Sequence, residues 1–132
     1  MKILVGYDGS EHSRRALEVA AELAKNGDPV TVVAVADVGM MSAKASPDIG
    51  KATHRKRVLD EASELLTERG VTAETIPAEG HPGDAIVEEA KNAGADLIVV
   101  GTRGLSTTQR IVLGSVSTKV VHDAPCNVLV VR

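Results

Sequence analysis

The stretch "ADLIVVGTRGLSTTQRIVLGS", Ala95 to Ser115, decides how this chain folds. Its first seven residues are the most uniformly apolar β-forming run in the sequence, the composition of a strand covered on both faces. From Gly101 onward the pattern changes. Gly101-Thr102-Arg103-Gly104 is a Gly-x-x-Gly turn, nine residues follow it, and Gly114-Ser115 stands immediately before the helical spacing of Val116, Val120 and Val121. Strand, glycine-bounded loop and helix in that order make one unit of an α/β fold.

The same alternation runs through the rest of the chain. "KILVGY" (2–7), bounded by Asp-Gly-Ser, reads as a buried first strand. Ser10 and Glu11 open a helix whose stripe is Ala16, Leu17, Ala20, Leu23 and Ala24, and Gly27 stands where a C-terminal cap would. "PVTVVAVAD" (29–37) is a second strand, and residues 38–50 have the least regular pattern of the chain. Val58, Ala62, Leu65, Leu66 and Arg69 mark a helix ended by Gly70. "VTAETIPAEG" (71–80) alternates as a strand nearer an edge does. "HPGDAIVEEAKNAG" is a helix with Pro82 near its start and Gly94 at its end. Asp123-Ala124-Pro125 breaks the fourth helix, and "CNVLVV" (126–131) is a fifth strand.

This βαβαβαβαβ pattern predicts a doubly wound, five-stranded parallel sheet with helices on both faces. Pattern alone allows the order 3-2-1-4-5 or 2-1-3-4-5. Ligands of such sheets sit beyond the carboxyl ends of the strands, where the order reverses. In the first arrangement that point lies between strands one and four, so "GYDGS" and "GTRG" would face each other.

Composition bounds the function. The 132 residues fit one domain, 1–132, and 43% hydrophobic with 25% charged residues is the balance of a soluble globular protein. No apolar stretch reaches bilayer length, and "MKILVGYDGS" runs straight into a strand, so neither a membrane partner nor a leader is expected and a cytoplasmic location is. A net charge of −3 gives no basis for a nucleic-acid partner. One Tyr, with no Phe or Trp, argues against aromatic stacking platforms. The single cysteine, Cys126, reads as an inert thiol among strand residues. His12, His54, His81 and His122 have no metal-ligand spacing and read as surface or loop residues, with His81 the nearest to the expected crevice.

The glycine loop itself suits an anion. Glycine lets backbone approach a ligand closely, and a helix N-terminus offers free N–H groups at the positive end of its dipole. Ser115 and Ser117 add hydroxyls, and Arg103 and Arg110 are candidates for added charge. The same residues equally describe a turn and a helix cap. A Walker-type loop is absent, because Gly114 is followed by Ser115 and Val116 where that loop needs a lysine and then a hydroxyl residue, and the Rossmann fingerprint is missing after strand one. No nucleophile–base set or paired carboxylates stand out, so at most slow hydrolysis is expected.

Gly-x-x-Gly, nine residues, then Gly-Ser/Thr resembles the signature of the universal stress protein family, in its ATP-binding branch. The likeness extends to "ILVGYDGSEHSRRAL", "EGHPGDAIVEEAKNAGADLIVVG" and "GSVSTKVVHDAPCNVLVVR", the whole chain. It implies the 3-2-1-4-5 order, in an adenine nucleotide alpha hydrolase-like fold, and a stress-response or signalling module that binds ATP, with cAMP or AMP as alternative ligands and a slow ATPase as another reading. By position, Gly6, Tyr7 and Asp8 would hold the adenosine portion, and Val35 would pack on adenine. Gly101, Arg103 and Gly104 would reach ribose and phosphate, and Gly114, Ser115, Val116 and Ser117 would cradle the phosphates. Tyr7 departs from the smaller residue many relatives carry, and would crowd or line the adenine pocket. No protein ligand to a metal is implied, although Mg²⁺ could ride on the phosphates. The resemblance also implies a homodimer through the last strand, 126–131, whose apolar edge invites pairing.

Overall fold

The computed structural model describes residues 1–24, 26–35, 47–102 and 114–132. The chain order is β1 (Ile3–Gly6), α1 (Glu11–Leu23), β2 (Val30–Val35), α2 (Pro47–Glu68), β3 (Ala73–Ala78), α3 (Pro82–Ala93), β4 (Leu97–Gly101), α4 (Ser115–Asp123) and β5 (Asn127–Val131). All four strand pairings are parallel and the sheet order is β3-β2-β1-β4-β5. This decides between the two orders that the pattern left open.

Two apolar layers hold the sheet. On one face α1 and α2 bury Ala16, Leu17, Ala20, Val58, Ala62 and Leu66 against Ile3, Val5, Val30, Val32 and Val99. On the other, Ile86, Val87, Ala90 and Val120 from α3 and α4 cover Leu4, Val33, Ile98 and Val100. Alternate residues of one strand thus feed opposite layers, which is why β1 and β4 are apolar throughout rather than alternating. Each fully buried Leu or Ile contributes about 1.5–3 kcal/mol of transfer free energy.

The local signals explain most helix ends. Ser10 caps α1, its hydroxyl accepting from the Ser13 N–H at 3.2 Å. Pro82 opens α3, and Gly94 closes it in the left-handed conformation with φ of 64°. Two boundaries differ from expectation. The helix α1 ends at Leu23 with Ala24 as its cap, and Gly27 (φ +82°) makes the turn that follows. The helix α2 reaches back to Pro47, into the span read as irregular, because proline and its fixed φ fit a first helical turn rather than ending one.

Strands β3 and β5 form the two edges. Strand β3 carries Pro77, whose missing N–H is tolerated at an edge. Strand β5 pairs only with β4 in this sheet and leaves Leu129 36% exposed. No helix among the described residues is long and apolar enough to cross a membrane.

Candidate functional site

The sheet order reverses between β1 and β4, which pair in register from Ile3 opposite Leu97 to Val5 opposite Val99. Their carboxyl ends deliver Tyr7-Asp8-Gly9-Ser10 and Gly101-Thr102 to the same end of the sheet, the position where an open α/β sheet forms its crevice.

The β1 side is built around Asp8. Its Oδ1 accepts from the Ser10 N–H at 2.9 Å, and its own N–H donates to Ser13 Oγ at 3.4 Å. Ser10, rather than Asp8, is the α1 cap, so helix capping does not account for the carboxylate. Gly6 is fully buried, and a Cβ there would lie 2.7 Å from Ile86 Cδ1 and 3.3 Å from Val100 Cγ1. Its lack of a side chain lets α3 close on β1. Val35 ends β2, half-buried against the layer of α3 and α4.

Tyr7 lies on the opposite side of the strand from Gly6, 2% exposed in the layer of α1 and α2. Its hydroxyl donates to Glu61 Oε1 at 2.5 Å, and Arg14 Nη2 donates to the same oxygen at 2.9 Å. Burial first, and then the Glu61 carboxylate, push the Tyr7 pKa up to about 12. Donation from Tyr7, opposed by burial and aided by Arg14, holds Glu61 below its usual value. The trio ties the end of β1 to α1 and α2. The same half of α2 lies above the Asp8 loop. A Cβ on Gly9 would touch Val58 at 3.9 Å. Burial and then Arg57 lower the His54 pKa, against the opposing pull of the Asp8 carboxylate.

The β4 side begins with a close approach. A Cβ on Gly101 would fall 2.7 Å from the carbonyl carbon of His12 and 2.8 Å from its oxygen and Cβ. Only glycine lets the strand end press onto the first turn of α1. Beyond it, the Thr102 carbonyl accepts from the Gly114 N–H at 2.6 Å and from Ser117 Oγ at 2.9 Å. Gly114 is the N-cap of α4 and brings no side chain to it. Among the described residues no N-cap side chain serves the first N–H groups of α4, and the helix dipole places positive potential there. Ser115 is exposed and Val116 half-buried. Ser117 is 2% exposed, and its hydroxyl turns inward to the Thr102 and Gly114 carbonyls. It braces this corner from beneath.

Arg103, Gly104 and Arg110 lie outside the described residues. His81 is exposed at the N-cap of α3 and makes no side-chain cap bond. Cys126 is half-buried, and burial raises its pKa, which suits an inert thiol. Sequence reasoning took His12 for a surface or loop residue, and it stands instead in the first turn of α1. It is half-buried, with Nδ1 3.0 Å from Thr102 Oγ1 and 3.2 Å from Arg15 Nη2.

Comparison with known proteins gives this arrangement a context. The model of the Universal stress protein family matches residues 1–132. The chain is 37% identical over 145 residues to the universal stress protein YxiE of Bacillus subtilis, covering 99% of this chain and 98% of that protein. Among solved structures, a universal stress protein in complex with cAMP superposes with a TM-score of 0.78 at 33% identity, covering 100% of this chain and 97% of the other. The universal stress protein from Archaeoglobus fulgidus in complex with dAMP gives 0.75 at 28% identity, covering 100% and 98%.

Proposed function

As this chain belongs to the universal stress protein family, we propose that it binds an adenine nucleotide, ATP in particular, in the crevice between β1 and β4, and that it acts as a nucleotide-dependent stress-response or signalling module. The observation that carries the reading is the meeting of three features at the carboxyl ends of β1 and β4. These are the Asp8 carboxylate outside the α1 cap, the tight backbone approach at Gly101, and an α4 N-terminus whose N-cap residue, Gly114, brings no side chain to it. A carboxylate accepts from ribose hydroxyls or the exocyclic amine of a base, while backbone N–H groups at a helix start suit phosphate oxygens.

In this reading Asp8 and the backbone of Gly6 and Tyr7 receive the adenosine end, with Val35 against the base. Gly101, Arg103 and Gly104 reach ribose and phosphate. Gly114, Ser115 and Val116 supply the phosphate cradle, which Ser117 braces. Mg²⁺ accompanies the phosphates without a dedicated protein ligand set. The whole chain acts as one domain in the cytoplasm, and pairs with a second copy through β5, whose outer edge has no neighbour in this sheet.

A second reading has an observation in its favour. Relatives have been solved with cAMP and with dAMP, so a monophosphate is the competing ligand class. Titration calorimetry of nucleotide-stripped protein with ATP, AMP and cAMP separates the two. Preference for ATP supports the first, preference for a monophosphate the second, and equal weak binding of all three counts against both. Light scattering at micromolar concentration tests the dimer, and a monomeric mass would refute it.

A further inference from the structure

The second position of the Gly-x-x-Gly turn, which the motif leaves unspecified, is Thr102, and three parts of the fold meet on it. Its N–H donates to the Val131 carbonyl of β5 at 2.9 Å. Its carbonyl accepts from the Gly114 N–H and from Ser117 Oγ, at 2.6 and 2.9 Å. Its hydroxyl lies 3.0 Å from Nδ1 of His12 on α1. Because Gly114 is the N-cap of α4, the position of the Thr102 carbonyl fixes the direction in which the first N–H groups of that helix point.

The hydroxyl contact is anchored from behind. Arg15 Nη2 lies 3.2 Å from the same His12 Nδ1, and a guanidinium can only donate, so Nδ1 is the acceptor and the imidazole proton belongs on Nε2. Arg15 is itself held, by Nε to the Arg132 carbonyl at 2.8 Å and by Nη1 to Glu11 at 2.9 Å. Gly101 permits all of this by setting the end of β4 directly on the His12 backbone.

We propose that Thr102, backed by His12 and Arg15, is a positioning residue of the anion cradle. Its hydroxyl fixes the carbonyl that aims the N-terminus of α4, and so sets the preference of the site for phosphate-bearing nucleosides over phosphate-free ones. The inference rests on the adenine-nucleotide reading above and deepens it. Removing the hydroxyl leaves the adenosine end of the crevice intact, because Asp8 is held through its own bonds to Ser10 and Ser13.

The test measures dissociation constants for ATP and for adenosine in the wild-type chain and in Thr102→Val, Thr102→Ser, His12→Ala and His12→Asn. Thr102→Val and His12→Ala are expected to weaken ATP about fivefold, the scale of one hydrogen bond, with adenosine unchanged within about twofold. Thr102→Ser retains the hydroxyl, and His12→Asn supplies an amide oxygen as acceptor, so both recover wild-type selectivity. ATP affinity within about twofold of wild type in both damaging variants would overturn the inference, as would a parallel loss of adenosine. The two variants approach the same bond from opposite sides, so one that fails to fold leaves the other decisive. A wild-type chain that binds neither ligand sinks the nucleotide reading itself, and the inference with it. ATP binding indifferent to all four substitutions sinks the inference alone.

Discussion

Replacing Gly101 by Ala adds one methyl group where the fold has no room for it. The new Cβ would stand 2.7 Å from the carbonyl carbon of His12 and 2.8 Å from its oxygen and Cβ. These are mostly backbone atoms of the first turn of α1, a turn fixed by the Ser10 cap and by Ala16 and Leu17 in the core, so no rotamer change relieves the contact. Overpacking of this kind costs about 1–3 kcal/mol. An unfolding entropy of about 2.1 cal/mol/K per residue over 132 residues gives about 0.28 kcal/mol/K, hence a melting point lower by about 4–11 °C. Calorimetric melting measures this directly. Gly27→Ala is the control, since nothing lies within 4 Å of its added Cβ and only its φ of +82° opposes the change. It costs about 1 kcal/mol and leaves ligand affinity untouched. Gly101→Ala also displaces Thr102, so under the proposed function it should weaken nucleotide binding as well as the fold. A Gly101→Ala protein that melts within about 1 °C of wild type, with unchanged ATP affinity, would refute the argument.

Two further predictions rest on single side chains. Tyr7 is the only tyrosine and there is no tryptophan, so absorbance near 295 nm titrates one group. It should ionise at about 12 in the folded chain, and Glu61→Gln should bring the midpoint down while leaving it above the ordinary value of 10.0, because burial is the larger cause. As its pKa is raised on folding, the stability Tyr7 contributes is fully present below pH 10 and lost as pH rises through about 12; an unshifted midpoint near 10 in wild type would contradict the buried Tyr7–Glu61 bond. Among the described residues the buried Nε and Nη1 atoms of Arg55 have no hydrogen-bond partner, and its ion pair there is a 3.4 Å contact to the exposed Glu79. Arg55→Met keeps the apolar stem and removes the unsatisfied donors, so urea denaturation should find the variant about 1–2 kcal/mol more stable; a less stable variant would show that the guanidinium is held by more than Glu79.

The strands were legible because burial on both faces leaves an unbroken apolar signature, clearest in "ILVG" of β1 and "LIVVG" of β4. Strand order was not in the pattern itself; it followed from the resemblance and is borne out by the pairings of β1 with β2 and β4. The start of α2 was misread because Pro47 and Gly50 look like breakers, whereas a proline in a first turn costs no hydrogen bond. Gly101 and Gly114 were singled out from their places after a strand and before a helix and Asp8 from the family resemblance, and the fold brings β1 and β4, which carry Asp8 and Gly101, side by side. His12 was read as a surface or loop residue, since its partner Thr102 is 90 residues away and nothing local marks the contact. Tyr7 was read as a lining residue for the same reason. Its partner Glu61 is 54 residues distant, and the pair becomes visible only when α2 is laid across the end of β1. The hydroxyl of Ser117 was read as a donor to phosphate, yet spacing cannot tell an outward hydroxyl from one turned inward to two carbonyls.

Equilibrium titration of nucleotide-stripped protein with ATP, run beside Asp8→Ala, tests the central claim most directly. The crevice between β1 and β4 predicts saturable binding of one ATP per chain, weakened by Asp8→Ala about tenfold, the scale of a lost charged hydrogen bond. No saturable binding of ATP, AMP or cAMP, or ATP binding indifferent to Asp8→Ala, would contradict it.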